Sequence, residues 1–175
     1  MQRTTSRLIF RPVKAEDLVR LFAINGDPAT NQFNPAGPLS DVHQAASVLD
    51  EWMSHWEKNG YGQWAIATRA SADYVIGFGG IALRNYLDVE RLNLGYRFDV
   101  SVWGKGYATE LGRAALEYSF DELGMQDVFA LVRPAHLASI SVLEKIGMQR
   151  VDALDDVPGN RQAMCIKPVA SEHHT

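Results

Sequence analysis

Trp103-Gly104-Lys105-Gly106-Tyr107-Ala108-Thr109-Glu110 carries the strongest signal in this 175-residue chain. Two glycines stand immediately ahead of a helical pattern. Apolar side chains recur at Leu111, Ala115, Tyr118 and Leu123, Leu116 and Phe120 broaden the stripe, and Gly124 closes it. The first amides of such a helix have no partner within it, and the helix dipole adds about half a unit of positive charge there. An anion can therefore be held without a dedicated side chain, and Gly104 and Gly106 let it come close. Upstream, Leu92, Leu94, Tyr96 and Phe98 alternate with Asn93, Gly95, Arg97 and Asp99, the period of two expected of a strand with one buried face. Strand, glycine turn and helix predict a cradle for phosphate.

Spacing separates the cradles that could be built this way. A P-loop needs four residues between its first glycine and a Gly-Lys-Ser/Thr end, and the chain has no such run. The dinucleotide fingerprint G-x-G-x-x-G matches Gly104 and Gly106, but Thr109 holds the third glycine position and Asp121 and Glu122 fall inside the helix. Gly106-Tyr107-Ala108 matches the second half of Arg/Gln-x-x-Gly-x-Gly/Ala, the signature of the GCN5-related N-acetyltransferases, with Trp103 at its first position. The whole run resembles the ribosomal-protein N-acetyltransferase branch of that family. Downstream, Val128 to Val132 reads as a short apolar strand, and Ala138 to Met148 resembles the family's Asn-x-x-Ser-x-x-Val-Leu-Glu-Lys-x-Gly-Phe helix. Ser139 matches the serine, and His136 stands where the family has asparagine. Arg7 to Pro12 and Ala15 to Leu18 are similar to the family's first strand and first helix, so the resemblance runs from about Ser6 to Lys167.

The resemblance implies an α+β fold: one domain over 1–175 with a mixed, mostly antiparallel sheet splayed beside the glycine strand, and helices on both faces. Other segments are legible from pattern. Asp41 with Gln44 resembles a capping box, Val42, Ala45, Leu49, Trp52 and Trp56 form one stripe, and Gly60 ends that helix. Gln63 to Thr68 and Val75 to Leu83 read as a hairpin turning through Ser71, Ala72 and Asp73. Gly77, Gly79 and Gly80 have no helical pattern after them, so a closely packed or bulged strand is expected rather than a second phosphate loop. Met148 to Leu154 and Gln162 to Pro168 flank a turn over Asp155 to Asn160, and the tail from about 169 is expected to be disordered.

A formal charge of −4 argues against a nucleic-acid surface, which needs Lys/Arg neutralisation of phosphodiesters, although an acidic face suits a cationic amine. Cys165, the single cysteine, excludes an internal disulfide and reads as strand packing. No long apolar run or leading signal is present, so no membrane is expected and a cytoplasmic location is. His43 and His55 lie twelve residues apart without a third ligand at metal spacing, and His173 and His174 sit in the tail, so no metal is expected.

The resemblance implies acetyl-coenzyme A as donor, its pyrophosphate on Gly104, Lys105, Gly106, Tyr107, Ala108 and Thr109, and its pantetheine arm along Phe98, Asp99 and Val100 as an added strand. A neutral amine attacks the acetyl carbonyl directly and coenzyme A leaves. Alkyl amines are mostly protonated near neutral pH, so a base or water chain must take a proton. Where the branch often carries glutamate, this chain has Asn93, and Glu90 is the substitute, with a solvated turn acid as the plain alternative. Ser139 is read as a hydrogen-bond donor to the departing sulfur or as an N-cap of its helix, and His136 as an acid or base or as a loop residue. Trp52, Trp56 and Trp64 are read as core rather than acceptor pocket, and Glu110 as pointing away from the phosphates. The acceptor stays open among a protein α-amino group, a small amine such as a polyamine, amino acid or aminoglycoside, and none, for a non-catalytic acyl-coenzyme A module. A homodimer rests on family analogy.

Overall fold

The computed structural model describes residues 2–154 and 163–168. Strands β1 (Arg3–Thr4), β2 (Leu8–Pro12), β3 (Gln63–Thr68), β4 (Ser71–Tyr86) and β5 (Val89–Phe98) form an antiparallel sheet in that order. A second sheet has the order β6 (Ala130–Val132), β8 (Ala163–Pro168), β7 (Met148–Leu154). The helices are α1 (Leu18–Asn25), α2 (Val42–Asn59), α3 (Tyr107–Glu117) and α4 (Leu137–Lys145). The two sheets meet at a parallel bridge between Asn93 and Phe129. There Leu94 N–H donates to Phe129 C=O at 2.7 Å and Phe129 N–H donates to Leu92 C=O at 2.8 Å. Beyond this point β5 and β6 do not pair with each other among the described residues, which is the splayed, largely antiparallel sheet expected.

Local chemistry sets the helix ends. The Asp41 side chain accepts from Gln44 N–H at 2.9 Å, and Gly60, at φ 76°, donates to Trp56 C=O at 2.9 Å. The return arm of the capping box lands one residue early, because Gln44 Oε1 accepts from Ser40 N–H at 2.7 Å. Ala45 and Leu49 are buried, with Trp52 and Trp56 packed partly beside them, but Val42 at the edge of the stripe is 44% exposed. α3 widens into a π turn over Tyr118–Glu122 before Gly124.

The apolar residues form two cores. One, beneath α3 and α4, joins Phe10, Trp64, Ile81, Leu94, Phe98 and Leu111 to Val128, Val132 and Leu143, and so runs across the split. The other, beneath α1 and α2, contains Leu21, Ile24, Leu49, Ala65, Val75 and Phe78, and among the described residues none of its buried members comes from the C-terminal sheet. Trp64 is 1% exposed and stacks on Phe10 at 5.2 Å, and Trp52 packs on Phe78, in keeping with a core role.

Two hairpins depart from the sequence reading. The β3–β4 turn is Arg69-Ala70, and Ser71 to Asp73 already belong to β4. A register shift between Ala67 and Thr68 lets the strand restart there, so the polar run is strand rather than turn. β4 also extends past Leu83 to Tyr86 and returns through Leu87, at φ 58°, and Asp88. Its glycines buy close approach: a Cβ on Gly77 would stand 2.6 Å from the Phe98 ring, and one on Gly79 2.7 Å from Leu111. The turn read over Asp155 to Asn160 and the tail from about 169 lie outside the described residues. The Cys165 backbone is in β8, in register with Leu131 and Asp152.

Candidate active site

β5 ends in a tight turn that aims the chain into α3. Asp99 accepts from Ser101 N–H at 3.0 Å, and Trp103 Nε1–H donates to Phe98 C=O at 2.9 Å. Gly104 and Gly106 take φ values of 79° and 80°, which side chains resist. Gly106 is the N-cap of α3 and has no side chain with which to cap it. Glu110 N–H is the first to reach back, to Gly106 C=O at 3.1 Å, so the Tyr107, Ala108 and Thr109 amides stand at the helix mouth. A Cβ on Gly104 would meet nothing within 4 Å, leaving open space above the amides.

The loop is braced from the first sheet. Arg7 donates from Nη1 to Lys105 C=O at 2.7 Å and from Nε to Glu110 at 2.7 Å, with its guanidinium 4.6 Å from the Tyr107 ring centroid. Glu110 also accepts from the Thr5 hydroxyl and from Arg7 N–H. Burial pushes its carboxyl up, but the hydrogen bonds from Thr5 and Arg7 outweigh this and hold it below the ordinary glutamate value. Glu110 is thus engaged with Thr5 and Arg7. Lys105 is exposed, and Tyr107 packs near Phe98 at 6.5 Å.

The gap between β5 and β6 is defined by backbone direction. Asp99 N–H donates to Ile76 C=O at 2.8 Å, so the polar groups of Asp99, Arg97 and Gly95 face β4. Leu94 bonds to Phe129, and alternation therefore turns the Tyr96 N–H and C=O and the Phe98 N–H into the gap. Of the expected Phe98-Asp99-Val100 lining, Phe98 turns its N–H into the gap, and Asp99 and Val100 use their backbone groups elsewhere. The Asp99 amide is taken by β4, and its carboxylate by Ser101 and by Arg20 at 2.7 Å, which together hold that carboxyl below its ordinary value. Val100 belongs to the turn, where its C=O accepts from Trp103 N–H at 3.1 Å.

Side chains converge on the gap from both faces. On the α3–α4 face, the Tyr96 hydroxyl and Ser139 Oγ are 3.0 Å apart. Burial pushes the Tyr96 phenol up, against a smaller downward pull from Ser139, so it stays protonated. The capping alternative for Ser139 is not observed, because α4 starts at Leu137 with His136 as its N-cap and Ser139 inside the first turn. On the α1–α2 face, Arg97 Nη1 donates to Asn31 Oδ1 at 2.7 Å, and Phe33 stacks on His136 at 4.4 Å and 18°. Burial first, then the Arg97 charge, lowers the His136 pKa.

The carboxylate expected to act as base lies apart from this convergence. Glu90 is exposed, opposite Asn85 near the hairpin end of β5, and lines a groove with Asp50, Glu51, Ser54 and Lys58. Leu94 is four residues on, about 13 Å along an extended strand. Asn93 is buried and accepts from the Tyr86 hydroxyl at 2.5 Å. His55 is bound structurally, its Nε2 accepting from Leu83 N–H at 3.0 Å. Tyr96, Arg97, Asn31 and Phe33 were not legible as site residues. Tyr96 counts as apolar in a period-two strand, although a buried tyrosine hydroxyl needs a partner, and that was the usable signal.

Comparison with known proteins shows the family and the fold. The acetyltransferase (GNAT) domain family matches residues 7–149. The chain is 32% identical over 149 residues to the Bacillus subtilis protein YkkB, covering 82% of this chain and 83% of that one. Its fold is similar to the ribosomal-protein-S5-alanine acetyltransferase of Vibrio fischeri, with a TM-score of 0.76, 13% identity and 100% of each chain covered. It is similar as well to a Vibrio cholerae spermidine N-acetyltransferase in complex with CoA and spermine, with a TM-score of 0.74, 18% identity, and 93% and 95% of the two chains covered.

Proposed function

From the premise that the chain belongs to the GNAT acetyltransferase family, we propose that it moves the acetyl group of acetyl-coenzyme A onto an amine entering from the α1–α2 face. The observation that carries this reading is the unpaired stretch of β5 lying directly before the uncapped mouth of α3. Donors at residues 107–109 suit a diphosphate, and the Tyr96 and Phe98 backbone groups suit the amides of a pantetheine arm laid in as a strand.

The amine lone pair attacks the acetyl carbonyl, the carbon–sulfur bond breaks, and the sulfur leaves as thiolate. Ser139, with the Tyr96 phenol behind it, is placed to donate a hydrogen bond to that sulfur. The ammonium proton leaves through water, since Glu90 stands too far along β5 for direct contact. The protein α-amino acceptor expected from sequence and the small-amine acceptor share this chemistry. Coenzyme A release measured with N-terminal peptides and with small amines separates them, and acetyl-coenzyme A binding without release would identify a non-catalytic module. Gly106→Glu sets a carboxylate against the diphosphate, on a backbone at φ 80°. It should weaken acetyl-coenzyme A binding by at least about tenfold, or about 1.4 kcal/mol, in calorimetry. Unchanged affinity would remove the diphosphate from this loop.

A further inference from the structure

Arg97 lacks what three other arginines around the sheet possess. Arg7 meets Glu110, Arg11 meets Asp17, and Arg20 meets Asp99, each at 2.7 Å. Arg97 is partly buried on β5, yet its hydrogen bond goes to a neutral amide oxygen, Asn31 Oδ1, and no carboxylate lies within ion-pair distance among the described residues. A guanidinium partly withdrawn from water with no counter-charge beside it is held at a cost, and an anion arriving with the ligand offsets that cost. Burial alone acts on this group's pKa, downward, with no acid to raise it.

Position gives this cation a role. Its neighbour Tyr96 turns its backbone into the gap, and across the opening the Phe33–His136 stack is close enough for His136 to feel the Arg97 charge. The bond to Asn31 fixes one arm of the guanidinium, and a planar fork of this kind suits two parallel bonds to a carboxylate. Behind Asn31, whose Nδ2 donates to Asn25 C=O at 2.8 Å, Asn25 Oδ1 is a buried acceptor with no partner. Asn31 therefore stands between a cation of β5 without a counter-charge and an unfilled acceptor at the end of α1.

We propose that Arg97 is a specificity-determining residue that binds a carboxylate of the acceptor, so that the substrate class is a small amine bearing a carboxylate, as a free amino acid does. The assignment rests on the acetyl-transfer reading above. It excludes polyamines as preferred acceptors, because their several positive charges would be brought against a fixed guanidinium.

The test compares coenzyme A release with the common L-amino acids, with the same compounds as carboxamides, and with spermidine, in the parent protein and in Arg97→Gln. Free acids should exceed their carboxamides by at least about tenfold in kcat/KM, since a site built around a polar group rejects the analogue lacking it. Arg97→Gln should erase that ratio, mainly through KM, while acetyl-coenzyme A affinity holds. A parent ratio near one, a preference for spermidine, or a ratio unchanged in Arg97→Gln would overturn the proposal. If acetyl-coenzyme A binds but no amine releases coenzyme A, the transfer reading itself fails. Arg97 is then judged by calorimetry of N-acetyl amino acids against their carboxamides on the coenzyme A complex. Preference for the acids that is lost in Arg97→Gln supports it, and equal binding overturns it.

Discussion

Tyr96 faces two ways, its backbone toward the unpaired edge of β5 and its hydroxyl toward Ser139. If the pair serves the departing sulfur, Tyr96→Phe and Ser139→Ala should each lower kcat by about tenfold or more while KM for acetyl-coenzyme A moves little, since a positioned proton donor contributes about 10²- to 10⁴-fold. An unchanged kcat in stopped-time assays would take the pair out of the chemistry. Glu90→Gln should change kcat/KM by less than about threefold and leave the pH profile in place, because its carboxylate is exposed and acts at most through water. Ser139 was singled out from sequence because the run from Ser139 through Val142, Leu143, Glu144 and Lys145 to Gly147 resembles the family's Ser-x-x-Val-Leu-Glu-Lys-x-Gly helix. Arg97 and Asn31 could not. Their significance lies in which charge is missing around them, and that depends on the placement of a loop more than sixty residues away in the chain.

At the scale of the element, β4 is held close to β5 and α3 by glycines rather than by side chains. Gly77→Ala would press a methyl to 2.6 Å from the Phe98 ring and 2.9 Å from Arg97 C=O, and a strand backbone cannot yield as a side chain can. Urea unfolding should show a loss of about 1–3 kcal/mol, as overpacked cores do. In Gly112→Ala the nearest atom is the terminal Cδ1 of Ile146, at 2.8 Å, which can swing away, so the loss should be visibly smaller. Equal losses would mean that local strain, not contact, governs both. The ends of α2 and α3 were readable because Asp41, Gly60, Gly106 and Gly124 act through their nearest backbone neighbours. The turn between β3 and β4 was not, since Ser71 to Asp73 have turn composition and only pairing with β3 reveals them as strand.

For the molecule as a whole, stability should fall with acid in two stages. His136 has a pKa lowered from its ordinary 6.5, so the unfolded chain binds that proton more readily, and stability present above about 6.5 is lost as pH falls toward the folded value. Glu110 and Asp99 are lowered from 4.5 and 3.8, so their contribution is complete above those values and is lost as pH falls through the depressed ones. Urea midpoints across pH should show both stages, and Glu110→Gln should flatten the lower one. An unaltered acid limb in that variant would mean that Thr5 and Arg7 do not stabilise the charged form. The general architecture was legible in the order of motifs. The two cores were not, because each draws apolar residues from segments far apart in sequence, and only the fold shows which of them spans the split.

Among the described residues, the buried core beneath α1 and α2 draws no member from the C-terminal sheet, and the Phe33–His136 stack ties that face to the start of α4. A ligand laid along the exposed edge would then act as mortar as well as reagent. Loaded protein should melt higher and in a sharper transition than empty protein, with slower hydrogen exchange at the Tyr96 and Phe98 amides, so that the pool of activated thioester in its surroundings would tune how long the molecule lasts.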